Sequence, residues 1–342
     1  MVEQRISLVT LGVADVTRAR VADAAMAPLQ RTFRSMATDV TLCLVTPTVG
    51  AEVALDRAER IFSDVEASCT RFDPQSPLMR ANAKPRQWHA VPPHLFAALE
   101  EALAAHLETS GAFDPRVLRR LQEWGYDHTL AFTSGDVSVP DGQGGGGGHG
   151  LPRRGWRPRF DPKTTAVKLG PDPVDLGGIG KGLAVRWAAE ALSGAGSAFL
   201  VEAGGDLYAS GAGPEGDGWR VGVEDPRTGP EPVAVLRLQD LGCATSSIRV
   251  RHWRVGGREV HHIIDPRTGE PADTGLLSVT VVGPDTARAE VWSKALFLAG
   301  RGRVRALADE RDIAALLVDE DGVVGVSRAM RHHLVWQADR GF

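Results

Sequence analysis

The amino-acid sequence predicts an α+β fold. Segments typical of strands follow one another in the second half of the chain, with turn residues between them, at 198–203, 219–223, 233–239, 258–264 and 277–282. Two helical patterns, near 182–193 and 286–299, interrupt that series. Runs of strands mixed with a few helices are typical of α+β proteins, whereas a parallel α/β sheet requires a regular alternation of strand and helix.

The composition is that of a soluble globular protein. The chain has 342 residues, 43% of them apolar and 24% charged, and it is long enough to bury one large core or two of ordinary size. Its net charge of −4, with both signs interspersed, gives no indication of a nucleic-acid or membrane surface. We therefore expect no nucleic-acid partner, and any phosphate-binding site must be local.

The first half of the chain predicts one strand and two helices. Residues 1–30 are expected to be a poorly ordered extension, followed by a single domain over 31–342. Apolar residues alternate from Asp39 to Thr46, as in a half-buried strand, and then recur at helical spacing from Ala54 to Val65. A second amphipathic helix follows Pro92 and Pro93. Its predicted apolar face comprises Leu95, Phe96, Leu99, Leu103 and Leu107.

A glycine-rich stretch at 142–150 predicts a flexible insert, because polyglycine has much conformational entropy to lose on ordering. His149, near its end, is interpreted as a solvated loop residue rather than a ligand.

The cysteines and the hydropathy favour a cytoplasmic protein. Cys43, Cys69 and Cys243 lie far apart, and none belongs to a CxxC or zinc-ligand pattern. No apolar run approaches the roughly 18 residues needed to span a membrane, and the N-terminus lacks the plan of a signal peptide. We expect reduced cysteines and no membrane span.

The segment from Val174 to Ala184 carries the strongest local signal. It places Asp175 at the end of a predicted strand, then a glycine turn, then Lys181 where a helix begins. Helix N-termini bind phosphate groups readily. The spacing fits neither the Walker A motif nor GxGxxG, so neither ATP nor NAD follows from it. The alternative is a structural glycine-rich turn with an exposed lysine.

Further motifs extend this pattern over most of the chain. They are Gly-Ala-Phe-Asp-Pro at 111–115, Trp-Gly-Tyr at 124–126, Glu-Ala-Gly-Gly-Asp-Leu at 202–207, Ala-Thr-Ser at 244–246, His-His-Ile-Ile-Asp-Pro-Arg-Thr-Gly at 261–269 and Ala-Leu-Phe-Leu-Ala-Gly at 295–300. In this order and at these spacings, the sequence resembles the FAD:protein FMN transferases of the ApbE family over roughly residues 32–335. The histidine–aspartate–proline–threonine–glycine block is the most specific part.

The resemblance implies a fold and a reaction. The fold is α+β, with two intimately packed lobes and FAD between them. The reaction moves FMN from FAD to a threonine or serine hydroxyl in a short motif of an acceptor protein, forming a phosphoester and releasing AMP, with magnesium present. Such a phosphoryl transfer requires stabilisation of the developing charge and a base near the incoming hydroxyl.

His262 is the predicted base, because it matches the reactive histidine of the family and histidine has an unperturbed pKa near 6.5. His261 should point to the opposite face of an extended segment, so it is given no catalytic role. Asp265-Pro266 with Thr268-Gly269 predicts a turn. Arg267 is interpreted as a solvated turn residue, although it is long enough to reach a phosphate.

The resemblance also implies the FAD contacts. Asp175 is expected to hydrogen-bond polar edges of the ligand, and Lys181 to meet a phosphate or the adenine side. The other positions that match FAD-binding residues are Met36, Phe72, Ala112, Phe113, Asp114 and Ile264. Met36 stands in a Met-Ala-Thr where relatives commonly have Met-Gly-Thr. Phe72 replaces a frequent tyrosine, which keeps an aromatic ring for stacking and loses the hydroxyl.

The implied magnesium site is altered in this chain. Its ligands would be the backbone carbonyl of Gly178, with Glu290 and Ser293 on a helix. Relatives carry an aspartate and, four residues later, a threonine, where this chain has Glu290 and Lys294. Magnesium requires oxygen ligands, and an ammonium group only donates hydrogen bonds. Alternatively, Glu290 and Lys294 pair along the helix, and the ammonium takes the place of the missing cation.

A second departure lies at 245–249, where Thr-Ser-Ser-Ile-Arg replaces a usual Thr-Ser followed by glycine and an acidic residue. Three functions therefore remain open: an active FMN transferase, a non-catalytic flavin-binding protein, and a pyrophosphatase that splits FAD into FMN and AMP.

Overall fold

The computed structural model describes residues 27–128, 130, 138–139, 150–151, 155–249 and 251–338. Most of the predicted N-terminal extension, residues 1–26, lies outside the described residues. So does the glycine-rich insert with His149, apart from Gly150.

The strands in the described part of the chain are, in order, β1 (Leu29–Ser35), β2 (Thr38–Leu44), β3 (His89–Ala90), β4 (Ser138–Val139), β5 (Arg159–Asp161), β6 (Ala166–Lys168), β7 (Phe199–Ala203), β8 (Asp206–Ser210), β9 (Trp219–Asp225), β10 (Gly229–Leu238), β11 (Leu241–Ser247), β12 (His252–Val255), β13 (Arg258–His261), β14 (Leu276–Gly283), β15 (Ala314–Asp319), β16 (Val324–Val326) and β17 (Leu334–Gln337).

The α-helices described are α1 (Ala51–Cys69), α2 (Pro77–Ala83), α3 (Pro93–Glu108), α4 (Leu118–Glu123), α5 (Gly180–Leu192), α6 (Thr286–Ala299) and α7 (Val304–Glu310). Short 3-10 helices cover Pro115–Val117 and Ala329–His332. None of these described helices combines the length and the apolar character needed to cross a membrane.

The chain divides into two compact units. The first unit contains the described residues of Asp64–Gly180 and Ser247–Thr274. The second contains 27–63, Lys181–Ser246 and 275–338.

The second unit is built on an 8-stranded sheet in the order β1-β2-β7-β8-β11-β14-β15-β16. Its neighbouring strand pairs β1–β2, β7–β8, β14–β15 and β15–β16 are antiparallel. Leu200, Leu207 and Leu316 of this sheet share a buried core with Trp219 and Leu236 of the three-stranded sheet β17-β10-β9. Helix α6 packs along β14. Burial of large apolar side chains is the main stabilising contribution here.

The first unit contains two small sheets, β3-β6-β5 and β13-β12-β4. Its apolar core includes Trp124, Tyr126, Trp253 and Ile264. The indole N–H of Trp253 donates to the carbonyl of Trp124 at 2.7 Å, and the indole N–H of Trp124 donates to the carbonyl of Gly269 at 3.2 Å. The Trp-Gly-Tyr segment and the histidine block, far apart in sequence, are therefore held by one core.

The predicted α+β class is confirmed, and the predicted strands and helices of the second half are present as β7, β9, β10, β13, β14, α5 and α6. Strand β13 ends at His261, short of the predicted 264. The predicted strand from Asp39 corresponds to β2. Strand β1 was not predicted, and it begins at Leu29, inside the region expected to be an unordered extension.

The predicted face of α3 is partly wrong. Leu95, Phe96 and Leu99 are buried, but Leu107 is 66% exposed. The last turn of α3 instead buries Ala105 and His106, because the ring of His106 contacts the carbonyl of Phe113 through Nδ1 at 3.1 Å. A polar contact thus replaces the apolar one that the helical spacing indicates.

The turn between β1 and β2 is strained. Met36 and Ala37 both have positive φ, 53° and 61°, where hairpin turns usually carry asparagine and glycine. The turn is fixed by a tertiary contact: a Cβ added at Gly204, in the β7–β8 turn, would lie 2.3 Å from the hydroxyl of Thr38. The close packing of the two turns requires glycine at 204 and holds the β1–β2 turn in place.

Replacing Ala37, an exposed residue, by glycine is expected to raise the free energy of unfolding by about 1 kcal/mol, because glycine adopts positive φ without the penalty of a Cβ atom. Thermal unfolding of Ala37→Gly and of the parent protein measures the change. The matched control is Ala306→Gly, at an exposed site within α7, which should lower stability by a similar amount. Equal losses in both variants would contradict the strain.

Candidate functional site

The glycine turn enters helix α5 from a loop and not from the strand that the sequence predicts. Val174 makes two hydrogen bonds to one side chain: its N–H donates to Asn82 Oδ1 and its carbonyl accepts from Asn82 Nδ2, both at 2.8 Å. The amide of Asn82 satisfies the groups that a neighbouring strand would otherwise pair. The helix itself begins at Gly180, so Lys181 lies in its first turn as predicted.

Asp175 is a buried carboxylate held by an arginine. Its Oδ1 lies 3.5 Å from Nε of Arg71, and its Oδ2 accepts the N–H of Gly177 at 3.2 Å. The guanidinium of Arg71 also donates to the carbonyl of Tyr126. Burial with two kinds of donor fixes the orientation of the Asp175 side chain.

The same guanidinium lies against two aromatic rings that also contact each other. The Cζ atom of Arg71 lies 4.2 Å from the ring centre of Phe72 and 4.1 Å from that of Tyr126. Phe72 is 36% exposed, so part of its ring faces solvent. Such a ring, backed by a cation, can stack against a planar ligand. No sequence signal singled out Arg71 or Asn82, because their partners lie far along the chain.

The segment 112–114 is anchored next to the glycine turn. Asp114 caps the 3-10 helix that follows by accepting the N–H of Arg116, and it forms a two-pronged ion pair with that guanidinium at 2.9 and 2.6 Å. The N–H of Asp175 donates to the carbonyl of Pro115 at 2.7 Å. Phe113 is buried and Ala112 is half-buried. The first unit therefore brings together Phe72, Asp175 and the 112–114 segment.

The two histidines of the histidine block, His261 and His262, have different surroundings. His261 is tied into the fold: Nε2 contacts the carbonyl of Ala272 at 2.9 Å, and burial lowers its pKa. His262 is half-buried, and its Nδ1 lies 3.4 Å from the carbonyl of Arg251. The two environments differ, and His262 stays the predicted base. Ile264 is buried in the core with Trp124 and Trp253.

The predicted turn after this block is present. Asp265 accepts the N–H of Arg267 at 2.8 Å, and its carbonyl accepts the N–H of Gly269 at 2.8 Å. The guanidinium of Arg267 pairs with the carboxylate of Asp265, and the Arg267 side chain is 80% exposed. This agrees with its interpretation as a solvated turn residue.

Lys181 and Met36 belong to the second unit, where Lys181 is part of a buried charge cluster. We define this cluster as Lys181, Asp206, Glu290 and Lys294. The ammonium of Lys181 binds the carboxylate of Asp206 and lies 3.5 Å from Oε1 of Glu290. The ammonium of Lys294 lies 3.3 Å from that same Oε1. Asp206 belongs to the Glu-Ala-Gly-Gly-Asp-Leu motif at 202–207, and the sequence predicts no role for it.

A close helix contact positions this cluster. A Cβ added at Gly182 of α5 would lie 2.7 Å from Cα of Ala287 in α6, so only glycine permits this approach. The approach lets the N–H of Gly182 donate to Oε2 of Glu290 at 2.8 Å. The carboxylate of Glu290 thus accepts hydrogen bonds from the helix N-terminus and from Lys294, and it forms an ion pair with Lys181.

The surroundings shift the pKa values of both carboxyl groups of the cluster, in opposite directions. Burial raises the pKa of Asp206, against the opposing effect of Lys181. Burial alone would also raise the pKa of Glu290, but Lys181, Lys294 and the N–H of Gly182 outweigh it and the pKa is lowered. We therefore treat Glu290 as ionised at neutral pH.

The predicted magnesium ligands do not form an open cation site. Both oxygens of Glu290 are engaged, and the hydroxyl of Ser293 is hydrogen-bonded to that of Ser246 at 2.7 Å and to the carbonyl of Glu290 at 2.9 Å. Gly178 lies in the first unit. Among the described residues, no group of three or more His, Cys, Asp or Glu side chains is arranged to hold a metal. This set of donors does not fit magnesium, which needs six oxygen ligands in near-octahedral geometry.

Glu202, near this cluster, provides a pH-dependent test. Its Oε1 accepts the N–H of Gly205 at 3.0 Å, while burial, and then the charge of Asp206, raise its pKa from 4.5 to about 7. A carboxyl group with a raised pKa in the fold stabilises below its unfolded pKa, and this contribution is lost as pH rises towards 7.

We expect Glu202→Gln, which keeps the acceptor and removes the charge, to stabilise the protein by about 1–2 kcal/mol at pH 8 and much less at pH 5. Urea unfolding at both pH values measures this difference. Glu231→Gln, at an exposed position, is the control and should show no such dependence on pH. A gain of equal size at pH 5 and pH 8 would refute a raised pKa.

Comparison with known proteins finds similarity to curated FAD:protein FMN transferases. A curated FAD:protein FMN transferase of Haemophilus influenzae is 29% identical over 291 residues, covering 79% of this chain and 80% of that protein. The protein of the same name from Klebsiella pneumoniae is 31% identical over 151 residues, and this match spans 43% of its length.

Solved structures agree in fold. The ApbE protein of Thermotoga maritima superposes with a TM-score of 0.73 and 27% identity, covering 90% of this chain and 99% of that chain. The flavin transferase ApbE of Vibrio cholerae superposes with a TM-score of 0.72 at 23% identity, covering 91% of this chain and 100% of that chain, and supports the fold alone. The sequence model described as the ApbE family matches residues 36–317. This chain belongs to the ApbE family.

Proposed function

We propose that this protein transfers FMN from FAD to a threonine or serine hydroxyl of an acceptor protein that carries a flavinylation motif. The observation that carries the proposal is the first unit's arrangement. There the half-exposed ring of Phe72, backed by Arg71, shares an aromatic core with the block that holds His262. Family membership and the names of the relatives support the same reaction class.

The proposed step exchanges the phosphoanhydride bond between FMN and AMP for a phosphoester bond to the acceptor. The acceptor oxygen attacks the phosphorus that carries the riboflavin part, and the bond from that phosphorus to the bridging oxygen breaks. The electron pair of this bond leaves with AMP. The hydroxyl proton passes to His262. The carbonyl of Arg251, 3.4 Å from Nδ1, favours a proton on that nitrogen and a lone pair on Nε2.

The remaining assigned residues are proposed to bind FAD. The ring of Phe72 offers a stacking surface, and Asp175, fixed by Arg71 and Gly177, accepts hydrogen bonds from polar edges of the ligand. Lys181 contributes positive charge in the first turn of α5, where a phosphate is favoured. The further FAD contacts proposed are Met36, Ala112, Phe113, Asp114 and Ile264.

A second candidate is a flavin-binding protein without transferase activity. The pairing of Lys294 with Glu290 favours it, because these residues do not form a magnesium site. A pyrophosphatase that gives FMN and AMP would use water in place of the acceptor hydroxyl. For the active protein we propose the cytoplasm as its location, in agreement with its three unpaired cysteines.

The role of His262 as the base can be tested directly. Purified protein, FAD and an acceptor domain should give an acceptor whose intact mass increases by one FMN, together with one AMP per acceptor. His262→Ala should reduce the rate at least about 100-fold, the usual contribution of a general base, while FAD binding is retained. Mass spectrometry and a fluorescence titration of FAD measure the two properties.

His252→Ala is the matched control, because His252 is exposed on the neighbouring strand β12 and should leave the rate unchanged. AMP and FMN without a labelled acceptor would indicate the pyrophosphatase. Tight FAD binding with neither product would indicate the non-catalytic protein. Full transfer by His262→Ala would exclude His262 as the base.

A further inference from the structure

We propose that the ammonium group of Lys294 occupies the place of a divalent cation beside Glu290, so that this site binds no divalent metal. The proposal extends the proposed function, because it implies that FMN transfer by this chain proceeds without magnesium. The absence of a divalent metal from the charge cluster does not itself depend on whether transfer occurs.

The charges of the cluster already balance. With both carboxyl groups ionised, Asp206 and Glu290 supply two negative charges, and Lys181 and Lys294 supply two positive ones. Lys181 contacts both carboxylates and Lys294 contacts Glu290. Asp206 and Glu290 are almost fully buried. A divalent cation added here would leave a net charge of +2 in a region of low dielectric, next to two ammonium groups that repel it.

The donor atoms are also committed. Three of the four carboxylate oxygens in the cluster have donors: Asp206 Oδ2, and both oxygens of Glu290. Oδ1 of Asp206 is buried without a hydrogen-bond partner among the described residues. Magnesium keeps several waters but is usually held by one or two carboxylates, and in this cluster of described residues only this one carboxylate oxygen has no donor. Occupation by metal would require at least one ammonium group to leave.

Lys294 is well placed to act as a fixed positive charge. It lies one turn after Glu290 on α6, and its ammonium contacts the carboxylate at 3.3 Å and the Glu290 carbonyl at 3.5 Å. Its side chain is 18% exposed. Within the described part of the chain Glu290 is its only hydrogen-bond partner, and an ammonium has three donors. Donor capacity therefore remains for an anionic group such as a phosphate oxygen.

Metal binding can be measured without reference to activity. Titration with manganese, followed by the electron paramagnetic resonance signal of the unbound ion, should show no site in the parent protein. The increase in melting temperature caused by FAD should be the same in chelator as in magnesium. Lys294→Thr leaves Glu290 without this ammonium. This variant should bind one manganese ion, and magnesium should raise its melting temperature further.

Lys294→Arg keeps a positive charge and should resemble the parent, with no manganese site. For transfer itself, the ratio of rates with magnesium and with chelator should be near one in the parent and rise at least about tenfold in Lys294→Thr, a difference of about 1.4 kcal/mol. Lys163→Thr, which removes an exposed lysine elsewhere, should change neither quantity.

Manganese binding by the parent that is lost in Glu290→Gln would overturn the proposal, even if Lys294→Thr failed to fold. Parent activity that disappears in chelator and returns with magnesium would overturn it as well. If no variant transfers FMN under any condition, the proposed function fails. The manganese titrations then still decide whether Lys294 excludes the metal.

Discussion

The contact between helices α5 and α6 is the constraint on which the second unit's charge cluster depends. Gly182 allows the backbone of α5 to approach Ala287, and this approach directs its N–H at Glu290. A carboxylate buried at that point must be compensated, since an unpaired buried charge is very costly. Lys181, one residue earlier on α5, and Lys294, one turn later on α6, provide the compensation. One glycine thus determines where both ammonium groups lie.

In the first unit, the carboxylate of Asp175 and the ring of Phe72 are positioned on backbone without regular secondary structure. Val174 has no strand partner, and the amide of Asn82 supplies the missing hydrogen bonds. Arg71 then links the carboxylate of Asp175 to the rings of Phe72 and Tyr126. Because a guanidinium is planar and always charged, its edge can pair with a carboxylate while its face contacts an aromatic ring. Irregular backbone is stable here because side chains satisfy its polar groups.

Sequence patterns predicted the features that depend on neighbours along the chain. The strand and helix periods placed β7, β9, β10, α5 and α6, and the Asp265 turn followed from residue types that favour turns. Features that depend on distant partners could not be predicted. Arg71 pairs with Asp175 and Asn82 bonds to Val174, each about a hundred positions away. Asp206 of β8 pairs with Lys181 of α5. Leu107 was misplaced because His106 makes a polar contact that periodicity does not register.

The charge cluster also bears on how a site for an anion can be kept stable before the anion binds. A metal site of several carboxylates is strongly negative when empty, and a metal must be present before a phosphate is attracted. In this chain the side chains of Asp206 and Glu290 are instead paired with the ammonium groups of Lys181 and Lys294. Its partly exposed Lys294 retains hydrogen-bond donors for an anion. In the proposed arrangement Lys294 supplies positive charge without a metal, and the stronger polarisation that a divalent ion provides is absent.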